Sequence, residues 1–565
     1  MTDESVEPRE ALVAELQRAA RAAGAPDDFE PQLDRPADLQ HGDYSSNAAL
    51  VLAGPMGTSP RDLAVRIAES IDRDGAAIRQ VDVAGPGFLN FTLSDEVLWT
   101  GLASLLREDT AFGRSKSPRP SSINVEFVST NPTGPLHVAH GRGAAIGDAV
   151  ASLLEWTGHS VTREFYVNDV GRQIDLLAES VEARGRELRG EPFEIPDGGY
   201  QGDYVADLAR MFAEEEDHEG LWEAAPEVRL KALGARSVAA LRAGQELDLA
   251  EFRVNMDVFV EEGSLFDSGA VQSLLEQLES AGATYREDGA LWLRTSQHGD
   301  EKDRVLIKSD GSHTYFLTDI AYHLDKAARG FDLSIDVWGA DHHGHIGRMH
   351  SALVTAGLGP DFLEVLIIQL VTVLRDGAEV RMSKRAGEFV TLRDLVRETG
   401  PDVARYFFLM RRAEVPLSFD LDLALDTSDA NPLYKVQYAH ARMCSVFARG
   451  EIDLHQFEPT RDDLALLTTE AEREVAKWVL RFPEIVQAAA VARAPYQVCH
   501  YLEDVAAGVN SWYHQGNLDP TLRILAEGPQ RAGRLALAKA IRITLRQGLT
   551  LLGLSAPDQM ARSGD

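Results

Sequence analysis

Cysteine is almost missing from this chain. Cys444 and Cys499 are the only two in 565 residues, too few for a disulfide framework or a cysteine-ligated metal site. That scarcity points to a cytoplasmic enzyme with no structural metal. Long apolar runs are missing too: no stretch of about 18 consecutive apolar residues occurs, so no membrane span is expected. Met1 to Pro8 is acidic and polar, unlike a secretory signal. Positive charge is in deficit, 56 Lys+Arg against 89 Asp+Glu, for a net charge of -33. Such a surface repels nucleic acid and membrane phosphates unless cations are gathered locally. Lysine is the scarcer cation, 9 of those 56, a bias that says little about function.

What is present is enough for large cores. With 44% hydrophobic residues the chain can build three or four domains. From Ala430 onward basic and acidic residues balance at 15 each, so the whole negative excess lies upstream. The C-terminal quarter is therefore electrostatically distinct.

The most informative stretch runs from Ile123 to Asp148, INVEFVSTNPTGPLHVAHGRGAAIGD. Ile123 to Val128 has the length of one buried parallel strand. Asn131, Pro132, Gly134 and Pro135 break regular structure. His137 and His140 follow, and Ala144 to Trp156 repeats apolar residues at helical spacing. A helix N-terminus after a strand is an anion site, because its first N–H groups are unpaired and the dipole is positive there. Two imidazoles at that mouth add donors for a phosphate; a zinc pair or two surface histidines are the alternatives at this point.

In chain order, residues 1 to about 118 read as a small α/β unit. It has helices at Leu12–Ala20 and Asp62–Ile71, and strands either side of Gly85-Pro86-Gly87. Gly113 to Ser122 is a Ser/Pro/basic linker. Residues 119–429 alternate strand and helix signals, which predicts a Rossmann-type parallel sheet. A long acidic interval at about 185–288 reads as a helical insertion. The sheet is expected to resume with strands at Arg304–Ile307, Tyr315–Leu317, Leu333–Trp338 and Leu363–Val373. Residues 430–565 carry almost no strand signal and predict an all-α bundle. On its last helix Arg531, Arg534, Lys539, Arg542 and Arg546 fall within an arc of roughly 140°. By itself that arc is best read as a solvated face.

A second polar cluster, VRMSKRAGEFVTLRDLV (Val380 to Val396), lies far downstream. Together with NPTGPLHVAHGR it resembles the HIGH and KMSKS signatures of class I aminoacyl-tRNA synthetases. More closely, the chain is similar to the arginyl-tRNA synthetases over nearly its whole length. GDYSSNAAL, GPGFLNFTL, REFYVNDVGRQIDLL, DRVLIKSDGSHTYFLTDIAYHLDK, VWGADHHGH and NPLYKVQYAHARMCSV carry the likeness beside the two signatures. The resemblance implies an N-terminal tRNA-elbow domain (1–118), a catalytic domain (119–429) and a helical anticodon-binding domain (430–565). It also implies arginine activation by ATP, with its Mg2+, followed by transfer to tRNA(Arg) in a monomer.

Adenylation needs no protein nucleophile, only positioning and charge stabilisation. The resemblance gives catalytic roles to His137, His140 and Lys384. It places Gly141, Gly339, Asp341, His345, Arg381, Met382 and Ser383 around ATP. A guanidinium calls for planar carboxylate partners; Glu126 and Asp319 match the family positions that hold it, with Ser129, Asn131 and Tyr315 around the same amino acid. His342 stands where some relatives have a glutamine. An internal ion pair is the competing reading of Glu126, and a metal cluster that of His342, His343 and His345. Two positions depart from the family pattern: Ala139 replaces the glycine of HIGH, and Gly134 replaces an upstream lysine found where the KMSKS lysine is absent. Tyr434, Gln437, Tyr438 and Arg442 share spacings that put them on one face suited to anticodon bases; packing against the catalytic domain is the competing reading of Tyr434 and Tyr438. Arg542 and Arg546 are expected to face tRNA. Asp169 and Gln173 match family text with no derivable role. The competing readings of the whole are another class I synthetase and a catalytically inactive tRNA-binding paralogue.

Overall fold

The computed structural model describes residues 8–36, 41–215, 218–380 and 390–560. Its centre is a five-stranded parallel sheet. The strand order is Leu363–Ile368, Leu333–Gly339, Ser122–Glu126, Ser160–Val167, Val258–Glu261, so the first strand in sequence lies in the middle. The strand is covered on both faces: Ile123, Val125 and Phe127 on one face are 0–2% exposed, and the polar Asn124 and Glu126 on the other are buried too, at 0% and 7%. The Val138–Trp156 helix, here the signature helix, packs on this strand so closely that a Cβ at Gly147 would lie 2.2 Å from Phe127 Cγ.

Several sequence expectations change. The acidic interval is helical at Asp203–Glu214, His218–Glu223 and Pro226–Glu251, but it also supplies the edge strand Val258–Glu261. Arg304–Ile307 does not join the parallel sheet; it is the end of an antiparallel three-stranded sheet with Thr284–Glu287 and Ala290–Leu293. Tyr315–Leu317 opens the Tyr315–Ala328 helix, because Phe316, Leu317, Ile320 and Ala321 recur on one buried face. The run Leu363–Val373 breaks at Gln369-Leu370. Its second half, Val371–Arg375, joins a small sheet with Ala378–Glu379 and Leu417–Asp420.

The N-terminal unit has its own core, including Leu12, Leu16, Leu63, Ile67, Leu89 and Phe91. The Asp95–Glu108 helix instead buries Leu98, Trp99, Leu102 and Leu105 in the core shared by the parallel sheet and the C-terminal helices. Ion pairs bind the unit to the helical region, among them Arg35–Glu484 at 2.6 Å and Lys477–Asp43 at 3.2 Å.

The C-terminal region is helical from Pro432 to Leu551. The Arg531–Leu551 helix runs through its middle and is buried on nearly every side, so its cationic arc is not a solvated face. Arg534 donates to Glu472 at 2.8 Å, Lys539 to the Phe457 carbonyl at 2.9 Å, and Arg542 to Cys444 Sγ at 3.3 Å. Arg542 and Arg546 both approach Asp558, at 3.7 and 3.6 Å. The expectation that this stripe meets tRNA is corrected at Arg542, which is 7% exposed and held from within. Among the described residues no helix is long and apolar enough to cross a membrane.

Candidate active site

The chain leaves the central strand through a strained turn. Val128 and Ser129 have φ of +71° and +32°. Left-handed backbone at a β-branched residue costs about 1–3 kcal/mol and persists only where surroundings enforce it. Here the Ser129 hydroxyl donates to Glu126 Oε1 at 2.8 Å and accepts from the Tyr166 amide at 3.1 Å. The Pro/Gly loop that follows is tethered by the insertion: Gln245 Nε2 donates to the Gly134 carbonyl at 2.8 Å, and Tyr204 donates to that of Thr133 at 2.8 Å. Asn131 donates to Gln173 Oε1 at 2.7 Å, which gives Gln173 a partner sequence reasoning had not found.

His137 caps the signature helix. Its side chain accepts from the His140 amide, and His140 Nδ1 accepts from the His137 amide at 3.3 Å. The two rings stack with centroids 3.6 Å apart. The pair stands at the helix's positive end, where negative charge is stabilised. Gly141 is buried, and a Cβ there would lie 2.6 Å from Leu392 Cδ1, so any side chain would have to push Leu392 aside. Lys384, Arg381, Met382 and Ser383 lie outside the described residues.

A second group of side chains gathers at the same end of the sheet. Tyr315 and Asp319 are one turn apart on their helix; Tyr315 is 66% exposed. Asp319 Oδ2 lies 3.4 Å from His345 Nε2. Glu262 is 4% exposed, and its Oε2 has no hydrogen-bond partner. Burial, then Asp319, then Asp169 push its carboxyl up to about 7. Asp169 accepts from the Gly263 amide at 3.0 Å. Burial first, and then Glu262, Asp319, Glu126 and Asp169 in turn, raise the Tyr166 hydroxyl far above its ordinary range. These carboxylates therefore converge on one place. Glu262 is not legible in the sequence: it sits in an acidic segment, VEEGS, that gives no sign of burial.

Glu126 does not stand open to a ligand. Its Oε2 receives Lys326 Nζ at 2.5 Å, and that ammonium also donates to Asp336 and Ser334 at 3.0 Å. Asp336 in turn meets His323 Nε2 at 2.9 Å. Burial raises the Glu126 carboxyl while Lys326 opposes it. Burial opposes the Lys326 ammonium, but Asp336 and Glu126 raise it. The competing reading of Glu126, an internal ion pair, is the one present, made with Lys326; the expectation that Glu126 holds the guanidinium directly is corrected. Glu126 also accepts from the Ser129 hydroxyl, and its charge is among those that raise the Tyr166 hydroxyl.

After the Leu333–Gly339 strand, Asp341 and His342 are mostly exposed and lie 3.5 Å apart. Gly339 ends the strand, and a Cβ there would lie 2.6 Å from Asp341 Oδ1. In the helical region Tyr434 and Tyr438 stack at 5.9 Å, and the Arg442 guanidinium lies 4.7 Å from the rings of both Tyr438 and Tyr513. Gln437 is not on this face: it is 9% exposed and donates to the Ser555 carbonyl at 2.9 Å.

The parallel sheet and the histidine pair that caps the helix after its central strand lie within the catalytic domain of a class I aminoacyl-tRNA synthetase. Three family models match: "Arginyl tRNA synthetase N terminal domain" at residues 8–93, "tRNA synthetases class I (R), catalytic domain" at 101–407, and "DALR anticodon binding domain" at 436–560. The arginine–tRNA ligase of Listeria monocytogenes serotype 4a (strain HCC23) is 45% identical over 563 residues, covering 97% of this chain and 98% of its own. That of Nitratidesulfovibrio vulgaris (strain DP4) is 44% identical, covering 97% and 99%. The Thermus thermophilus arginyl-tRNA synthetase structure superposes with a TM-score of 0.76 at 26% identity, over 98% of this chain and all of that one. A putative arginyl-tRNA synthetase from Campylobacter jejuni gives 0.76 at 31% identity, over 83% of this chain. The chain belongs to the arginyl-tRNA synthetase family.

Proposed function

We infer that the protein activates L-arginine with ATP to arginyl-adenylate and transfers the arginyl group to the 3′ end of tRNA(Arg). The observation that carries the arginine half is the buried, unpartnered carboxylate of Glu262 beside Asp319 and Asp169. Buried acids without a counterion are costly, and a guanidinium supplies a permanent planar charge with forked donors. In this reading Glu262 and Asp319 hold the guanidinium. Tyr315 covers it, and Ser129 and Asn131 set the main-chain end.

The arginine carboxylate attacks the α-phosphate; a C–O–P linkage forms as the bond to pyrophosphate breaks. His137 and His140 meet the charge developing on the phosphates at the helix's positive end. Lys384, with Arg381, Met382 and Ser383, serves the departing pyrophosphate. Gly339, Asp341 and His345 seat the nucleoside, with His342 beside them. ATP brings its Mg2+ as part of the substrate. Tyr434, Tyr438 and Arg442 form a stacking ladder for unpaired anticodon bases, and residues 1–118 take the tRNA elbow. Cytoplasmic location and a monomeric state complete the reading.

The test is ATP–pyrophosphate exchange driven by arginine, with and without tRNA(Arg), followed by tRNA charging. Tight tRNA binding with no exchange under either condition would favour an inactive paralogue.

A further inference from the structure

Arg142 lies two residues past His140 in the signature helix and is fully buried. Its partners are two backbone carbonyls: Nη1 donates to Gln369 at 2.9 Å and Nη2 to Arg412 at 2.8 Å. Its Nε has none. Among the described residues no carboxylate reaches it in an ion pair. The two other fully buried cations each have one: Arg405 has Asp148, and Lys326 has Glu126 and Asp336. Burial pulls the Arg142 guanidinium down to about 10, with Glu414 the one carboxylate acting against this. The charge also sits near the end of the helix where the dipole disfavours cations. An arginine buried without an acid is rare and costly.

The two carbonyls it grips are neighbours in space. The Gln369 amide donates to the Ala413 carbonyl at 3.0 Å, and the Leu417 amide to that of Leu370 at 3.0 Å. From this junction spring Val371–Arg375 and Leu417–Asp420, the parallel pair of the small sheet. Its third strand, Ala378–Glu379, leads directly into the second signature segment. One side chain therefore ties the helix bearing His137 and His140 to the root of the small sheet whose last strand, Ala378–Glu379, precedes the second signature in sequence.

We propose that Arg142 is a positioning residue for adenylation, clamping the root of the small sheet that precedes the second signature in sequence to the signature helix. The proposal rests on the adenylating function above. No bond forms or breaks at Arg142; it sets the relation between the signature helix and the small sheet and leaves the acidic pocket untouched.

The experiment is arginine-dependent ATP–pyrophosphate exchange, with tRNA(Arg) present, for the wild type, Arg142→Gln and Arg142→Lys, varying ATP and arginine separately. Unfolding midpoints establish that each variant is folded. Arg142→Gln is expected to raise the KM for ATP at least tenfold while the KM for arginine stays within twofold. Arg142→Lys keeps the charge and can reach one carbonyl, so it should recover most of that loss. Equal rises in both KM values, or identical defects in the two variants, would overturn the proposal. If Arg142→Gln does not fold, Arg142→Lys decides alone. In that case a partial rise, below tenfold and confined to the KM for ATP, supports the proposal, and equal rises in both KM values refute it. A wild type with no arginine-dependent exchange would instead overturn the parent reading, and this one with it.

Discussion

Glu262 keeps a carboxyl buried without a partner on Oε2, and its titration is raised to about 7. A raised carboxylate binds protons in the folded state that the unfolded chain has released. This group therefore withdraws stability as pH climbs from about 4.5 to about 7, and its contribution is flat above that. Arginine needs the ionised form. The KM for arginine should accordingly fall from pH 6 to 8 and level off, and the slope should vanish in Glu262→Gln. A slope that survives in the variant would assign the titration elsewhere. Asp319→Asn should weaken arginine binding by about 2 kcal/mol, roughly thirtyfold, with little effect on ATP. An unchanged KM and kcat/KM for arginine would remove Asp319 from the pocket.

At the scale of the element, the signature helix decides whether the histidines stand correctly. Gly147 admits no side chain against Phe127. Gly147→Ala should cost about 1–3 kcal/mol by overpacking and slow adenylation by tilting the helix; a midpoint and rate equal to wild type would show that the sheet yields freely. The strand, loop and helix at 123–156 were legible because each announces itself: an apolar run, a Pro/Gly break, a 3.6-residue repeat. Val258–Glu261 was not, since four residues are too few to show a period and acids surround them. Tyr315–Leu317 was misread because three consecutive apolar residues fit either a strand or the first turn of a helix.

The Arg531–Leu551 helix shows a different limit. A row of arginines looks like a solvent face until its partners are known, and Glu472, Cys444 and Asp558 lie 62, 98 and 16 or fewer positions away. Arg542→Glu should therefore act on stability, setting a second carboxylate against Asp558. The expected result is a lower unfolding midpoint with an unchanged salt slope of tRNA binding in the folded fraction. A flattened slope would return this helix to the tRNA path.

For the whole molecule, the net charge of -33 means that attraction to tRNA must come from local groups rather than the overall field. Tyr434, Tyr438 and Arg442 offer stacking, which depends little on salt. The family signatures made the general site legible, whereas the split of roles among the carboxylates needed coordinates. Glu126 is engaged by Lys326, whereas Glu262 keeps a buried Oε2 without a hydrogen-bond partner. The central claim is that this acidic pocket selects a guanidinium. It is tested most directly by ATP–pyrophosphate exchange with arginine against citrulline, the neutral analogue of the same shape, in the presence of tRNA(Arg). The account predicts exchange with arginine and a loss of several orders of magnitude with citrulline, because a site built for a charge is left unpaired. Comparable exchange with both would contradict it.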